Sequence, residues 1–287
     1  MNVINTWQFS IIMYYIFNVI FYQFYKLSIK NVKKDGAATI IFQVIAGSSM
    51  LLLIPFFAWQ IPSAISVVLL LVAACVFYAV NDRLQTTVRK NLEVSAFSIL
   101  SQFGTVFLIL YGFLIFKDEL VLTKILGALF IIAANVWILY KPGDRKLAVN
   151  KYYLIGIIAL FAFATALTID IGISEKFSLP FYISLTLLIP AIMVALSEQI
   201  KLNYIADEWS KGNKKFYVIT GLAWGLMILF GLRAYQLGVV STVVPLQAIA
   251  VILNVLVAYI FLKERSDGYK MILAAIIAVV GVYLTVL

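Results

Sequence analysis

Six side chains able to handle charge fall on one helical face of an otherwise apolar stretch. Tyr78, Asn81, Asp82, Gln85, Thr86 and Arg89 occupy positions i, i+3, i+4, i+7, i+8 and i+11. An ionisable group cannot face lipid cheaply, so at membrane depth this stripe must look into a cavity. There Asp82 would be a cation or proton site with an arginine as its partner. A second reading stays open, in which the span ends near residue 80 and residues 81–90 emerge as a solvated helix end.

Other polar groups sit inside apolar runs at helical spacing. Tyr15, Asn18 and Tyr22 share one face, as do Ser95, Ser98, Gln102 and Thr105. Gln247 and Asn254 follow Pro245, whose missing backbone donor can open a kink beside a cavity. Trp224 offers an aromatic wall. Each of these can contact a small-molecule substrate, and each amide can equally be interhelical glue. Asp170 and Arg233 lie near span ends. They could form a gate, an ion-coupling pair or a clamp for an anion and an amine, although Arg233 can also snorkel to the interface. Trp7, Trp59 and Trp137 read as interfacial anchors.

Enzyme chemistry has little to work with. Histidine is absent, which removes the commonest general base and metal ligand. No Ser-His or Cys-His pair is possible, and no HExxH, Walker A or dinucleotide fingerprint occurs. The expectation is no catalytic residue, no metal and no cofactor. The single cysteine, Cys75, reads as a small buried hydrophobe.

The elements that must position these residues follow from composition. The chain of 287 residues is 64% apolar and 12% charged, against about 45–50% and about 25% in an ordinary soluble domain. Such a chain belongs in a lipid bilayer, as an all-α polytopic membrane protein. Ten apolar stretches can be read: 7–25, 38–58, 64–84, 94–115, 121–140, 152–171, 180–199, 216–236, 242–262 and 268–287. The first has no basic residue before it and no small-residue cleavage signature after it, so it reads as a retained span. The net charge of +9 comes from basic residues in short loops, which membrane topology explains better than nucleic acid does.

An internal repeat organises the spans. Laid on 240–282, residues 94–136 align without a gap: Val94-Ser95 meets Val240-Ser241, Leu100 meets Leu246, Leu110 meets Leu256, Lys117 meets Lys263 and Lys124 meets Lys270. Ala128, Ile131 and Val136 meet Ala274, Ile277 and Val282. This divides the chain into a first five-helix repeat (1–140), a linker (141–151) and a second repeat (152–287). Five is odd, so the second repeat enters the membrane upside down, giving ten transmembrane helices in two inverted five-helix repeats. Basic residues agree: Lys26, Lys30, Lys33, Lys34, Arg83, Arg89 and Lys90 fall on the same side as Lys201, Lys211, Lys214, Lys215, Lys263, Arg265 and Lys270. The linker adds Lys141, Arg145, Lys146 and Lys151 to that side. By the positive-inside rule it is cytoplasmic, with both termini outside. Small residues at Gly127, Ala134, Ala274, Ala278 and Gly281 allow close helix approach and mark scaffold or a homodimer surface.

These features resemble the drug/metabolite transporter superfamily, of the EamA type. The segments that carry the likeness are "FLIFKDELVLTKILGALFIIAANV" at 113–136, "YIFLKERSDGYKMILAAIIAVVGV" at 259–282 and "AYQLGVVSTVVPLQAIAVIL" at 234–253. The resemblance implies export or exchange of small metabolites through a central cavity between the repeats, in a bacterial plasma membrane. It places spans one, three, four, six, eight and nine around that cavity, which favours Asn18, Gln102 and Gln247 as substrate contacts. The chain departs from the family pattern at "NDRLQTTVRKNLE", 81–93, where members carry an apolar corner, and in its extracytoplasmic termini. The expected mechanism is alternating access by a secondary transporter. A lipid-linked-sugar flippase and a non-transporting scaffold are the alternatives. A small-multidrug antiporter is disfavoured, because span one contains no carboxylate.

Overall fold

The computed structural model describes residues 6–114, 121–139, 150–238, 240–264 and 268–287. The hairpin around Lys117, residues 141–149 of the linker and Arg265 lie outside the described residues. So do the side chains of residues 240–242, 244 and 245, Pro245 among them.

The described residues fold into helices, with no strand among them. The helices are α1 (Trp7–Ile29), α2 (Asp35–Leu51), α3 (Ile65–Asn91), α4 (Val94–Leu100), α5 (Phe103–Leu114), α6 (Leu122–Leu139), α7 (Lys151–Ile173), α8 (Leu179–Ser197), α9 (Leu202–Lys211), α10 (Lys214–Leu237), α11 (Val240–Val257) and α12 (Gly268–Thr285). Three of the helices, α1, α7 and α10, start at a side-chain cap: Thr6 Oγ1 accepts from Phe9 N at 3.3 Å, Asn150 Oδ1 from Tyr152 N at 3.1 Å, and Asn213 Oδ1 from Phe216 N at 3.3 Å. A π-helical stretch, Ala258–Leu262, follows α11 and ends at Lys263, whose φ of 57° lies in the left-handed region.

Among the described residues, seven segments are both long and apolar enough to cross a membrane: Asp35–Phe56, Ile65–Asn91, Val94–Leu114, Lys151–Lys176, Leu179–Ser197, Lys214–Leu237 and Gly268–Thr285. With the composition, they make the chain an integral membrane protein. The other three expected spans are helical as well. Helix α1 is 23 residues long, although Tyr14, Tyr15, Tyr22, Tyr25, Asn18 and Gln23 dilute its apolarity. Expected span five is covered by α6, and span nine by α11 with the π-helical stretch that follows it. Large apolar side chains such as Ile65, Leu69, Leu129, Leu154, Ile192 and Ile260 are exposed, as a lipid-facing surface requires.

Packing brings distant parts of the chain together. Helix α1 packs on α10 and α11, α3 on α7 and α8, and α2 on α8 and α10. Helix α6 packs on α12, α11 on α12 and α4, and α5 on α6 and α7. Gly127 and Gly281 make the α6–α12 contact possible. A Cβ added at Gly127 would lie 2.5 Å from the Gly281 carbonyl oxygen, and one at Gly281 would lie 2.8 Å from that of Gly127. The small-residue stripe is thus buried within the chain, between α6 and α12.

Three boundaries differ from expectation. Span three does not end near residue 80: α3 runs to Asn91, and Asn81, Asp82, Thr86 and Arg89 are buried. The solvated-end reading is corrected because helices α1, α2 and α4 cover this segment. Span four is broken into α4 and α5. Ser101 Oγ bonds back to Ser98 O at 2.6 Å, and Gln102, Gly104 and Thr105 donate three residues back, which tightens the turn and offsets the two halves. Finally, α9 is a short helix between the expected spans seven and eight that hydropathy alone does not reveal. Its Ile205 and Trp209 pack inward, while Leu202 is exposed.

Candidate functional site

A cavity of about 300 Å³ lies among α1, α3, α5, α7, α8, α10 and α11, reaching the α4–α5 break. Eight of the expected site residues line it: Asn18, Tyr78, Asn81, Asp82, Gln102, Asp170, Trp224 and Gln247. The rest of the wall mixes aromatic rings, Tyr14, Phe21, Tyr22, Phe97, Phe163 and Tyr235, with aliphatic side chains such as Leu108, Leu160 and Leu167. Trp224 stacks on Phe21 with centroids 5.6 Å apart.

The polar face of α3 becomes a directed hydrogen-bond chain. Arg89 Nε donates to Gln85 Oε1 at 3.1 Å, Gln85 Nε2 to Asn81 Oδ1 at 2.9 Å, and Asn81 Nδ2 to Asp82 Oδ1 at 2.8 Å. Gln43 Nε2 on α2 donates to the other carboxylate oxygen, Asp82 Oδ2, at 2.8 Å. Asp82 therefore does not pair with an arginine directly. Two amides connect the charges, each turning its N–H toward the anion and its carbonyl toward the cation, as the field between them demands.

The Arg89 guanidinium is also caged. Its carbon lies 4.1 Å from the ring centres of Tyr22 and Phe97, 4.9 Å from Phe21 and 5.0 Å from Tyr25. Desolvated cation–π contacts of this kind offset part of the cost of burying the charge. Arg89, Tyr22 and Phe97 also border a second, narrower void lined by Lys26, Leu92, Glu93 and Val94. The caged arginine thus separates the main cavity from that void.

Asp170 on α7 sits elsewhere in the cavity wall and is only 2% exposed. Tyr78 Oη donates to its Oδ2 at 2.5 Å, and Tyr182 Oη donates to its Oδ1. The pairing of Asp170 with Arg233 is corrected: Arg233 does not line the cavity and instead donates to Gln236 Oε1 at 3.5 Å. Among the described residues the ion pairs are Arg83–Glu198, Lys90–Asp35 and Lys211–Asp207, so neither cavity carboxylate has a cationic side chain bonded to it.

Of the remaining expected site residues, Tyr15 and Asn254 hold helices together. Tyr15 Oη donates to Leu246 O at 2.5 Å, tying α1 to α11. Asn254 Nδ2 donates to Asn18 Oδ1 at 2.8 Å, and its backbone carbonyl accepts from Gln23 Nε2 at 3.2 Å; Asn254 does not itself line the cavity. Ser98 is fully buried and does not line the cavity. Gln247 lines it but is engaged, accepting from Tyr235 Oη at 2.8 Å and donating to Gly231 O at 3.1 Å. Gln102 is freer, since its amide N–H reaches only its neighbour Ser101 Oγ at 3.1 Å.

Sequence reading missed Gln43, Tyr182 and the aromatic cage. Gln43 had a signal, an amide alone in an apolar span. Tyr182 and the cage had none, because nothing local distinguishes a tyrosine that meets a carboxylate from one that meets lipid.

The α3–α4 corner next to the narrow void is clamped from both sides. Lys26 Nζ donates to the carbonyls of Arg89, Lys90 and Leu92 at 2.9, 3.0 and 2.6 Å, satisfying the C-terminal end of α3. Glu264 accepts from Val94 N at 2.8 Å, Ser95 N at 3.1 Å and Ser95 Oγ at 2.6 Å, capping the N-terminus of α4. The left-handed turn at Lys263 brings Glu264 to that position. Among the described residues no cluster of His, Cys, Asp or Glu suits a metal ion.

No protein-family model matches the sequence, and no curated protein matches it. Solved structures with a similar fold include the crystal structure of a protein, with a TM-score of 0.54 over 96% of this chain and 96% of the other at 12% identity. At that identity the likeness is one of fold alone.

Proposed function

We propose that the chain is a secondary transporter of a small metabolite, working by alternating access around the described cavity. Its architecture in this reading is ten membrane helices in two inverted five-helix repeats of the EamA type, with both termini extracytoplasmic. Helices α1, α2, α3, α4–α5 and α6 then correspond to α7, α8, α10, α11 and α12.

One observation carries the reading. Exchanging the helices by that correspondence turns each main contact into another that is present. The α1–α10 contact becomes α7–α3, α2–α10 becomes α8–α3, and α1–α11 becomes α7 with α4 and α5. The α11–α12 contact becomes α4 and α5 with α6, while α2–α8, α4–α11 and α6–α12 map onto themselves. Halves that pack interchangeably can rock between two equivalent arrangements around a central site. A cavity lined from both halves, with amides, carboxylates and rings facing inward, fits such a site. The sequence holds no nucleotide-binding fingerprint, so the energy comes from a gradient or from exchange, and we assign no catalytic role.

The test uses a single cysteine at Gln102 in the Cys75→Ala protein, in right-side-out and in inverted membrane vesicles. A membrane-impermeant maleimide should label it from both faces, because alternating access exposes the cavity to each in turn. Labelling from one face only, or from neither, overturns the proposal in favour of a receptor or scaffold.

A further inference from the structure

We infer that the ligand of this cavity carries a protonated amine, held by Asp170 within an aromatic wall; this rests on the cavity being a substrate site. The charges that face the cavity are Asp82, Arg89 and Asp170. Asp82 and Arg89 already answer one another through Asn81 and Gln85. Arg89 is further enclosed by four rings, so it does not present an open cationic fork to an incoming anion. Asp170 is the charge left over. Its bonded partners are the neutral hydroxyls of Tyr78 and Tyr182, and it has no cationic side chain bonded to it among the described residues. The elements packed against it, α3 and α8, bring Cys75, Thr186 and those tyrosines, none of them a cation.

A buried anion in a low-dielectric wall is stabilised by a ligand that brings the missing positive charge. An ammonium group has donors for both carboxylate oxygens. It also gains from aromatic rings that line the cavity, with Tyr78 bonded directly to Asp170. A carboxylate or phosphate ligand would meet repulsion at Asp170 with its cationic counterpart already engaged.

The test measures thermal stability of the detergent-solubilised full-length protein with phenethylammonium, butylammonium, the neutral 2-phenylethanol and the anionic phenylacetate. Both amines should raise the melting temperature by several degrees, with the alcohol and the acid leaving it unchanged. Asp170→Asn keeps the shape, with one tyrosine still donating to its Oδ1 and its Nδ2 donating to the other tyrosine's Oη, and should abolish the amine shift. An equal shift from 2-phenylethanol, a shift from phenylacetate, or none from either amine overturns the inference. So does an amine shift that survives in Asp170→Asn. The wild-type charge series is decisive even without a folded variant. Labelling at Gln102 from both faces alongside any of those failures would leave the transporter reading standing and remove only the ligand class.

Discussion

Asp82 and Arg89 are opposite charges that never touch: three hydrogen bonds, running through Gln85 and Asn81, link them along a single face of α3. Removing one end of a buried charge pair strands the other, at about 3–5 kcal/mol. Arg89→Gln should therefore destabilise the protein strongly. Asp82→Asn combined with Arg89→Gln should recover part of that loss. A double-variant cycle on denaturation midpoints measures the coupling, and strict additivity would mean that the two charges do not sense each other.

Gln102 and Asn254 should separate ligand contact from helix glue. Gln102→Ala removes a side chain bonded only to its neighbour, so stability should change by less than about 0.5 kcal/mol while ligand affinity falls. Asn254→Ala breaks the bond to Asn18 that ties α11 to α1 and should cost about 1–3 kcal/mol. Melting curves with and without a bound amine distinguish the two patterns.

At the α6–α12 crossing, Gly127→Leu cannot be absorbed by a side-chain shift, because the obstructing atom is the Gly281 backbone carbonyl. A loss of about 1–3 kcal/mol is expected, as for other overpacked sites. A melting temperature equal to wild type would mean that the two helices do not approach as described.

The Glu264 cap predicts that Glu264→Gln weakens three contacts to the start of α4. The cost should be about 0.5–2 kcal/mol. Hydrogen exchange at Val94 and Ser95 should speed up with that change, while amides in α7 keep their protection. Exchange that rises equally everywhere would point to global destabilisation instead.

A clamp of the same kind operates through Lys26. Lys26→Met keeps much of the side-chain volume but leaves the carbonyls of Arg89, Lys90 and Leu92 without their donor. Cysteine labelling at Leu92 should become faster from the lysine-rich face. Unchanged labelling would show that this corner does not hold the narrow void closed.

By itself the sequence determined the membrane setting and the polar face of α3. Both follow from composition and from a periodicity that reads one helix at a time. It also marked Asn18, Gln102, Asp170 and Trp224, because a polar or bulky side chain inside an apolar run stands out locally. It could not say which polar groups meet each other. Tyr182 reaching Asp170, Gln43 reaching Asp82, and the rings of α1 and α4 enclosing Arg89 all depend on how separate helices pack, which no single-helix pattern contains. The tertiary structure decided that Asp82 and Arg89 answer one another while Asp170 has only neutral partners. The physical reason is that charge compensation is set by distance and burial between helices, and a periodic pattern fixes only the face each helix turns inward.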